Sequence, residues 1–188
     1  MKVVAFDGGR YRQGPVGTRL QLLIDALAAE GVEAELLWLE RDRRTGCTMC
    51  GQCGHKTGYV LCSRPSEDGL RRCARKIKAA DALVVGSPAY TVRPSPSTQE
   101  LLNRLDHDWL ERDDRRLAGK LAAVVVDARS EGAEVVAGAI AARLHARGMT
   151  VIAPETLPDG TAGEEASAGD EMTALARALA AALTRSSA

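Results

Sequence analysis

Residues 82–90 read Ala82-Leu83-Val84-Val85-Gly86-Ser87-Pro88-Ala89-Tyr90. Four apolar residues in a row, two of them β-branched, show no polar alternation. Such a run suits a strand buried on both faces, as in a parallel sheet. The Gly86-Ser87-Pro88 step is expected to end it. Just upstream, residues 67–79 place Leu70, Cys73, Ala74 and Ile77 at helical spacing. Further back, residues 3–6 (Val3-Val4-Ala5-Phe6) form a second apolar run that stops at Asp7-Gly8-Gly9. Residues 18–30 repeat apolar positions at Leu20, Leu23, Ile24, Leu27 and Ala28, and Gly31 closes that helix. Residues 32–39 read as a strand.

The same alternation continues downstream. Residues 97–105 read as a helix and 106–118 as a surface segment dense in mixed charge. Strands at 121–126 and 149–153 flank a helix at 131–147, which Gly148 ends. A polar, glycine-rich loop at 155–169 leads to a last helix at 170–184. Strands that alternate with helices pair in parallel, because a parallel pair needs a crossover. The expected architecture is α/β: a doubly wound, five-stranded parallel sheet in the order 2-1-3-4-5, within one domain of residues 1–188. One segment breaks the rhythm, a loop of about residues 40–66 after the second strand, rich in Arg, Gly and Cys.

Composition narrows the function classes. Lys plus Arg number 25 and Asp plus Glu 25, so the net charge is zero. Nothing draws such a chain to nucleic acid or to an anionic membrane. Aromatic residues are 3% of the chain, too few for a base-stacking platform. The start, Met1-Lys2-Val3-Val4-Ala5-Phe6-Asp7, has too short an apolar run for a signal peptide, and no later run approaches the ~20 residues of a membrane span. A cytoplasmic protein is expected, and five cysteines in that compartment suggest ligands or redox thiols rather than disulfides.

Ligands of an open parallel sheet bind beyond the carboxyl ends of the strands, where the strand order reverses. Here that point lies between the first and third strands, so the loops at 7–17 and 86–97 are the candidates, flanked by 127–132. The first loop, Asp7-Gly8-Gly9-Arg10-Tyr11-Arg12-Gln13-Gly14-Pro15-Val16-Gly17, precedes Thr18 at a helix start. Glycines admit close backbone approach, a helix N-terminus favours an anion, and Arg10 or Arg12 neutralises one. Neither a Walker A loop nor G-x-G-x-x-G is present, and a plain turn with solvated arginines is the alternative. Tyr90, one of six aromatics, stands where a planar ligand would lie.

Cys47, Cys50, Cys53 and Cys62 have the spacing C-x2-C-x2-C-x8-C. Three cysteines in that rhythm with a distant fourth match the ligation of a 4Fe-4S cluster. Zinc is the alternative, since four thiolates suit it too, and C-x-x-C redox chemistry is another. Cys73 sits on the inward face of its helix and reads as a packed thiol.

These residues together resemble the iron–sulfur flavoproteins, a branch of the flavodoxin-like NAD(P)H-dependent FMN reductase family. The likeness covers roughly residues 1–150. It rests on the cysteine run and on Gly86-Ser87-Pro88-Ala89-Tyr90, with Asn103-Arg104 and Gly119-Lys120 in support. The resemblance implies a flavodoxin-like fold and bound FMN. Arg10, Gly17 and Thr18 would hold its phosphate, and Ser87, Pro88, Ala89 and Tyr90 would line its ring. Cys47, Cys50, Cys53 and Cys62 would hold the cluster. It implies an oxidoreductase or electron-transfer flavoprotein that joins two-electron to one-electron steps, with NAD(P)H as donor and a homo-oligomeric assembly. The basic helix with Arg71, Arg72, Arg75, Lys76 and Lys78 would dock an acidic carrier such as ferredoxin, or is a plain solvated face. Two rivals remain: a flavin or quinone reductase whose cysteines bind zinc or no metal, and a flavin-free scaffold with a metal knuckle. The first loop departs from the family pattern. Asp7-Gly8-Gly9-Arg10 stands where the family reads Gly-Ser-Pro-Arg, and Val16-Gly17-Thr18 where it reads Gly-Asn-Thr. The Ser hydroxyl and the Asn amide are both missing.

Overall fold

A computed structural model describes residues 1–38, 69–112, 115–127, 132–157 and 164–186. The cysteine run, with Cys47, Cys50, Cys53 and Cys62, lies outside the described residues. In chain order the elements are β1 (Lys2–Asp7), α1 (Pro15–Ala29), β2 (Glu33–Trp38), α2 (Gly69–Ala79), β3 (Ala82–Tyr90), β4 (Arg93–Pro94), α3 (Pro96–Arg112), β5 (Leu121–Asp127), α4 (Ala133–His145), β6 (Thr150–Leu157) and α5 (Glu164–Ser186). The sheet runs β2-β1-β3-β5-β6, with β4 attached to β3. Every pairing among the five long strands is parallel, and β3–β4 is antiparallel.

Two cores follow from strand alternation. Val4, Phe6, Leu83, Val85, Val124 and Val126 face one way, onto α2, α3 and α4. Val3, Ala5, Val84, Ala123 and Val125 face the other way, onto α1 and α5. All of these strand residues are at or near zero exposure. That explains why β1, β3 and β5 carry continuous apolar runs with no polar positions.

Several boundaries differ from the sequence reading: β6 runs on to Leu157 and α5 starts at Glu164, inside the expected loop at 155–169, and three others differ for a local reason. Helix α1 begins at Pro15, earlier than expected, because proline at the first helical position has no N–H to leave unpaired. Strand β3 does not stop at Gly86. Ser87 pairs with Val126 and Pro88 with Asp127 of β5, and β4 pairs Ala89 with Pro94. The run that looked like a loop is strand. Helix α3 continues through the charged stretch to Arg112. Leu101, Leu102 and Leu105 give it a buried face. Among the described residues, no helix is long and apolar enough to cross a membrane.

Candidate functional site

The carboxyl ends of β1, β3 and β5 form the crest of the sheet, and the side chains there are the least expected from a hydrophobic core. Asp7 ends β1 and Asp127 ends β5, at 0% and 4% exposure. The helix α1 crosses above them. Its inward positions are Val16, Leu20, Leu23 and Leu27, and Arg19 shares that face. The Arg19 guanidinium donates to Oδ1 of Asp127 at 2.7 Å, a buried ion pair that ties α1 to β5. Asp7 has a poorer environment. Its Oδ1 accepts the Gly9 N–H at 2.7 Å. Its Oδ2 is buried and has no partner among the described residues. Burial therefore pushes the carboxyl up to about 6, against the opposing pull of the Gly9 N–H.

On the other side of β1, hydroxyls brace the crest. Ser95 precedes α3; its Oγ donates to the Gly8 carbonyl at 2.7 Å and accepts the Thr98 N–H at 3.2 Å. Ser87 Oγ accepts the Ser95 N–H at 3.0 Å. The Gly8 N–H in turn donates to the Gly86 carbonyl at 2.9 Å. Position 8 has no room for a side chain, since a Cβ there would lie 1.9 Å from Thr98 Oγ1. The serine hydroxyl missing from the family pattern is thus excluded by α3.

A phosphate fits this loop on the donors present. Gly14 caps α1 in extended geometry, no side chain caps the helix, and Arg10 and Arg12 are exposed beside it. Among the described residues no side chain caps the positive end of this fifteen-residue helix, an end that favours an anion. Of the expected phosphate residues, Gly17 is buried in the first turn of α1 and Thr18 is exposed, with its hydroxyl donating to the Gly14 carbonyl at 3.2 Å. Arg10 stacks over Tyr11, 5.4 Å from the ring centre. Arg12, Gly17 and Thr18 share a cleft with Trp38 of β2 and with Arg72 and Lys76 of α2.

The third-strand residues divide by strand alternation. Ser87 and Ala89 turn inward, at 0% and 5% exposure, whereas Pro88 is half-buried and Tyr90 is 50% exposed. Only the latter two present a surface to a ligand. Cys73 is buried as expected, at 3% exposure. Among the described side chains the basic face of α2 is narrower than its composition suggests. Arg72 and Arg75 are exposed, Lys76 pairs with Glu35, and Lys78 is buried. Among the described residues no group of three or more His, Cys, Asp or Glu side chains gathers.

Sequence reasoning passed over Asp7, Arg19, Asp127, Ser95 and Thr98. Three of them carried a signal. Asp7 and Asp127 each close a wholly apolar strand run, and Arg19 falls on the inward phase of α1.

In a doubly wound sheet, ligands bind beyond the carboxyl ends of the strands where the strand order reverses, which here is the crest between β1 and β3. The chain belongs to the NADPH-dependent FMN reductase family, whose sequence pattern matches residues 1–164. It is 30% identical to an iron–sulfur flavoprotein of Methanocaldococcus jannaschii over 104 residues, 55% of this chain and 51% of that protein. The match thus spans about half the length of that relative. Among solved structures, a flavone reductase superposes with a TM-score of 0.73 at 17% identity, over 98% of this chain and 63% of the other. The flavoenzyme NAD(P)H:acceptor oxidoreductase FerB from Paracoccus denitrificans superposes with a TM-score of 0.68 at 16% identity, over 98% and 97%. At these identities the superpositions establish a shared fold.

Proposed function

We propose that this chain is an FMN-dependent oxidoreductase that also carries an iron–sulfur cluster and links two-electron to one-electron redox steps. The observation that carries the reading is the run of Cys47, Cys50, Cys53 and Cys62 in a chain of the FMN reductase family. Thiolates in that rhythm suit a 4Fe-4S cluster, with zinc as the competing occupant. The run follows β2, whose last residue lies at the crest. Trp38 is in register with Asp7, and its indole N–H donates to the Gly9 carbonyl at 3.3 Å.

In this reading Gly17, Thr18 and Arg10 hold the FMN phosphate, with Arg12 beside them. Pro88 and Tyr90 border the ring, while Ser87 and Ala89 support that edge from beneath. Bound FMN supplies hydride acceptance as an electron pair and single-electron release, and a cluster carries one electron at a time. Among the described residues the acids at the crest, Asp7 and Asp127, are buried, so the crest offers positioning and burial rather than an exposed general acid. NAD(P)H is the proposed donor. Arg72 and Arg75 would dock an acidic carrier such as ferredoxin. We place the protein in the cytoplasm as a homo-oligomer.

Iron, sulfide, zinc and flavin measured on one anaerobic preparation test the reading. Flavin with iron and sulfide is expected, and Cys50→Ser should lose iron. Flavin without iron points to a plain flavin or quinone reductase. Zinc without flavin points to a scaffold. Full iron in Cys50→Ser overturns the ligand set.

A further inference from the structure

Two departures from the family pattern meet at one point. Gly17 has no side chain, and the place a Cβ would take there lies 2.7 Å from Oδ2 of Asp7 and 2.5 Å from the Arg12 carbonyl. The carboxyl of β1 therefore occupies the space that a side chain on α1 would need. Asp7 is fully buried, and its unpartnered Oδ2 faces the first turn of a helix that no side chain caps. A carboxyl in that place accepts hydrogen bonds when ionised and donates one only when protonated.

We propose that the β1–α1 loop takes up a phosphomonoester together with one proton, and that the proton settles on Oδ2 of Asp7. This rests on the FMN reading, with the FMN phosphate as the phosphomonoester. The step makes a neutral carboxyl from a carboxylate and a solvent proton, and no bond of the ligand breaks. An ionised Asp7 would sit behind a dianion with the same sign of charge, away from water, where repulsion is poorly screened. A neutral Asp7 removes that repulsion. Burial has already brought the group to about 6 in the free protein, so a nearby dianion lifts it into the neutral range.

Among the described residues the charged groups around Asp7 are few. From α1 comes Arg19, paired with Asp127 of β5. The loop itself brings Arg10 and Arg12, both exposed. β2 brings Trp38, β3 brings Ser87, and α3 brings Ser95 and Thr98, none of which titrates near neutrality. The two causes acting on Asp7 are burial and the Gly9 N–H.

The test is FMN binding by the whole chain between about pH 7 and pH 8.5, above the second ionisation of a phosphomonoester near ~6. Quenching of flavin fluorescence gives Kd. Calorimetry in two buffers of different ionisation heat counts protons. The wild type should bind more weakly as pH rises, by up to about tenfold per pH unit, with an uptake approaching one proton per FMN. Asp7→Asn should show neither effect, and riboflavin, which lacks the phosphate, should show no slope with the wild type. If Asp7→Asn does not fold, the wild-type proton count and the riboflavin comparison decide. FMN binding without proton uptake, or an unchanged slope in Asp7→Asn, overturns this inference and leaves the FMN reading standing. No FMN binding at any pH overturns both.

Discussion

Asp7→Asn should change how folding stability depends on pH. The side chains have nearly the same shape, and asparagine keeps an oxygen for the Gly9 N–H. What changes is ionisation. In the folded protein burial holds the Asp7 carboxyl near 6, against 3.8 when it is free in water. Because the folded value is the higher one, the folded state binds the proton more tightly. The ionised group therefore costs stability above about pH 6, and the cost disappears as pH falls below the unfolded value. Each pH unit is worth about 1.4 kcal/mol, so the full cost is about 3 kcal/mol. Between pH 4.5 and pH 8 the observable part is about 2 kcal/mol, because the unfolded chain is still mostly ionised at pH 4.5. Urea unfolding followed by circular dichroism measures it, and urea leaves the Arg19–Asp127 pair unscreened. All other titrating groups are common to both proteins and cancel in the difference. The wild type should lose about 2 kcal/mol relative to Asp7→Asn across that range. A constant gap between the two curves would refute the buried, ionised Asp7.

Other substitutions probe the rest of the crest. Arg19→Met should destabilise by about 3 kcal/mol in the same urea assay, since it strands a buried carboxylate, and Arg19→Met with Asp127→Asn should recover part of that loss. Gly86→Ala would put a Cβ 2.6 Å from Leu20 Cδ1 and 2.7 Å from Val16 Cγ1, so a cost of about 1–3 kcal/mol is expected as a lowered Tm. Ser95→Ala removes the α3 cap and the bond to the Gly8 carbonyl; a loss of about 1–2 kcal/mol should accompany weaker FMN binding.

Strand runs buried on both faces made the alternation of β1, β3 and β5 with helices legible, because a core residue cannot be polar without a partner. The extension of β3 was not legible. Gly86-Ser87-Pro88 has turn composition, and only pairing with β5 and β4 keeps it extended. That error had a consequence at the site, since a strand shows alternate residues to opposite faces, and Ser87 and Ala89 turn inward. Arg10 and Arg12 stand in the loop after β1, and both are exposed there. The Asp7–Gly17 contact was hidden because it joins residues ten apart through a helix start that the sequence reading set three residues too late. Arg19 was obscured by its class. An arginine on an inward phase reads as surface until its partner, 108 residues away, is known.

An anaerobic titration of FMN-loaded protein with NADPH, and separately with NADH, tests most directly whether this chain is a flavin oxidoreductase. One FMN per chain, bleached by a stoichiometric nicotinamide and recoloured by a one-electron acceptor, is the predicted result. A chain that keeps no FMN, or whose bound FMN stays oxidised with both nicotinamides, would contradict it.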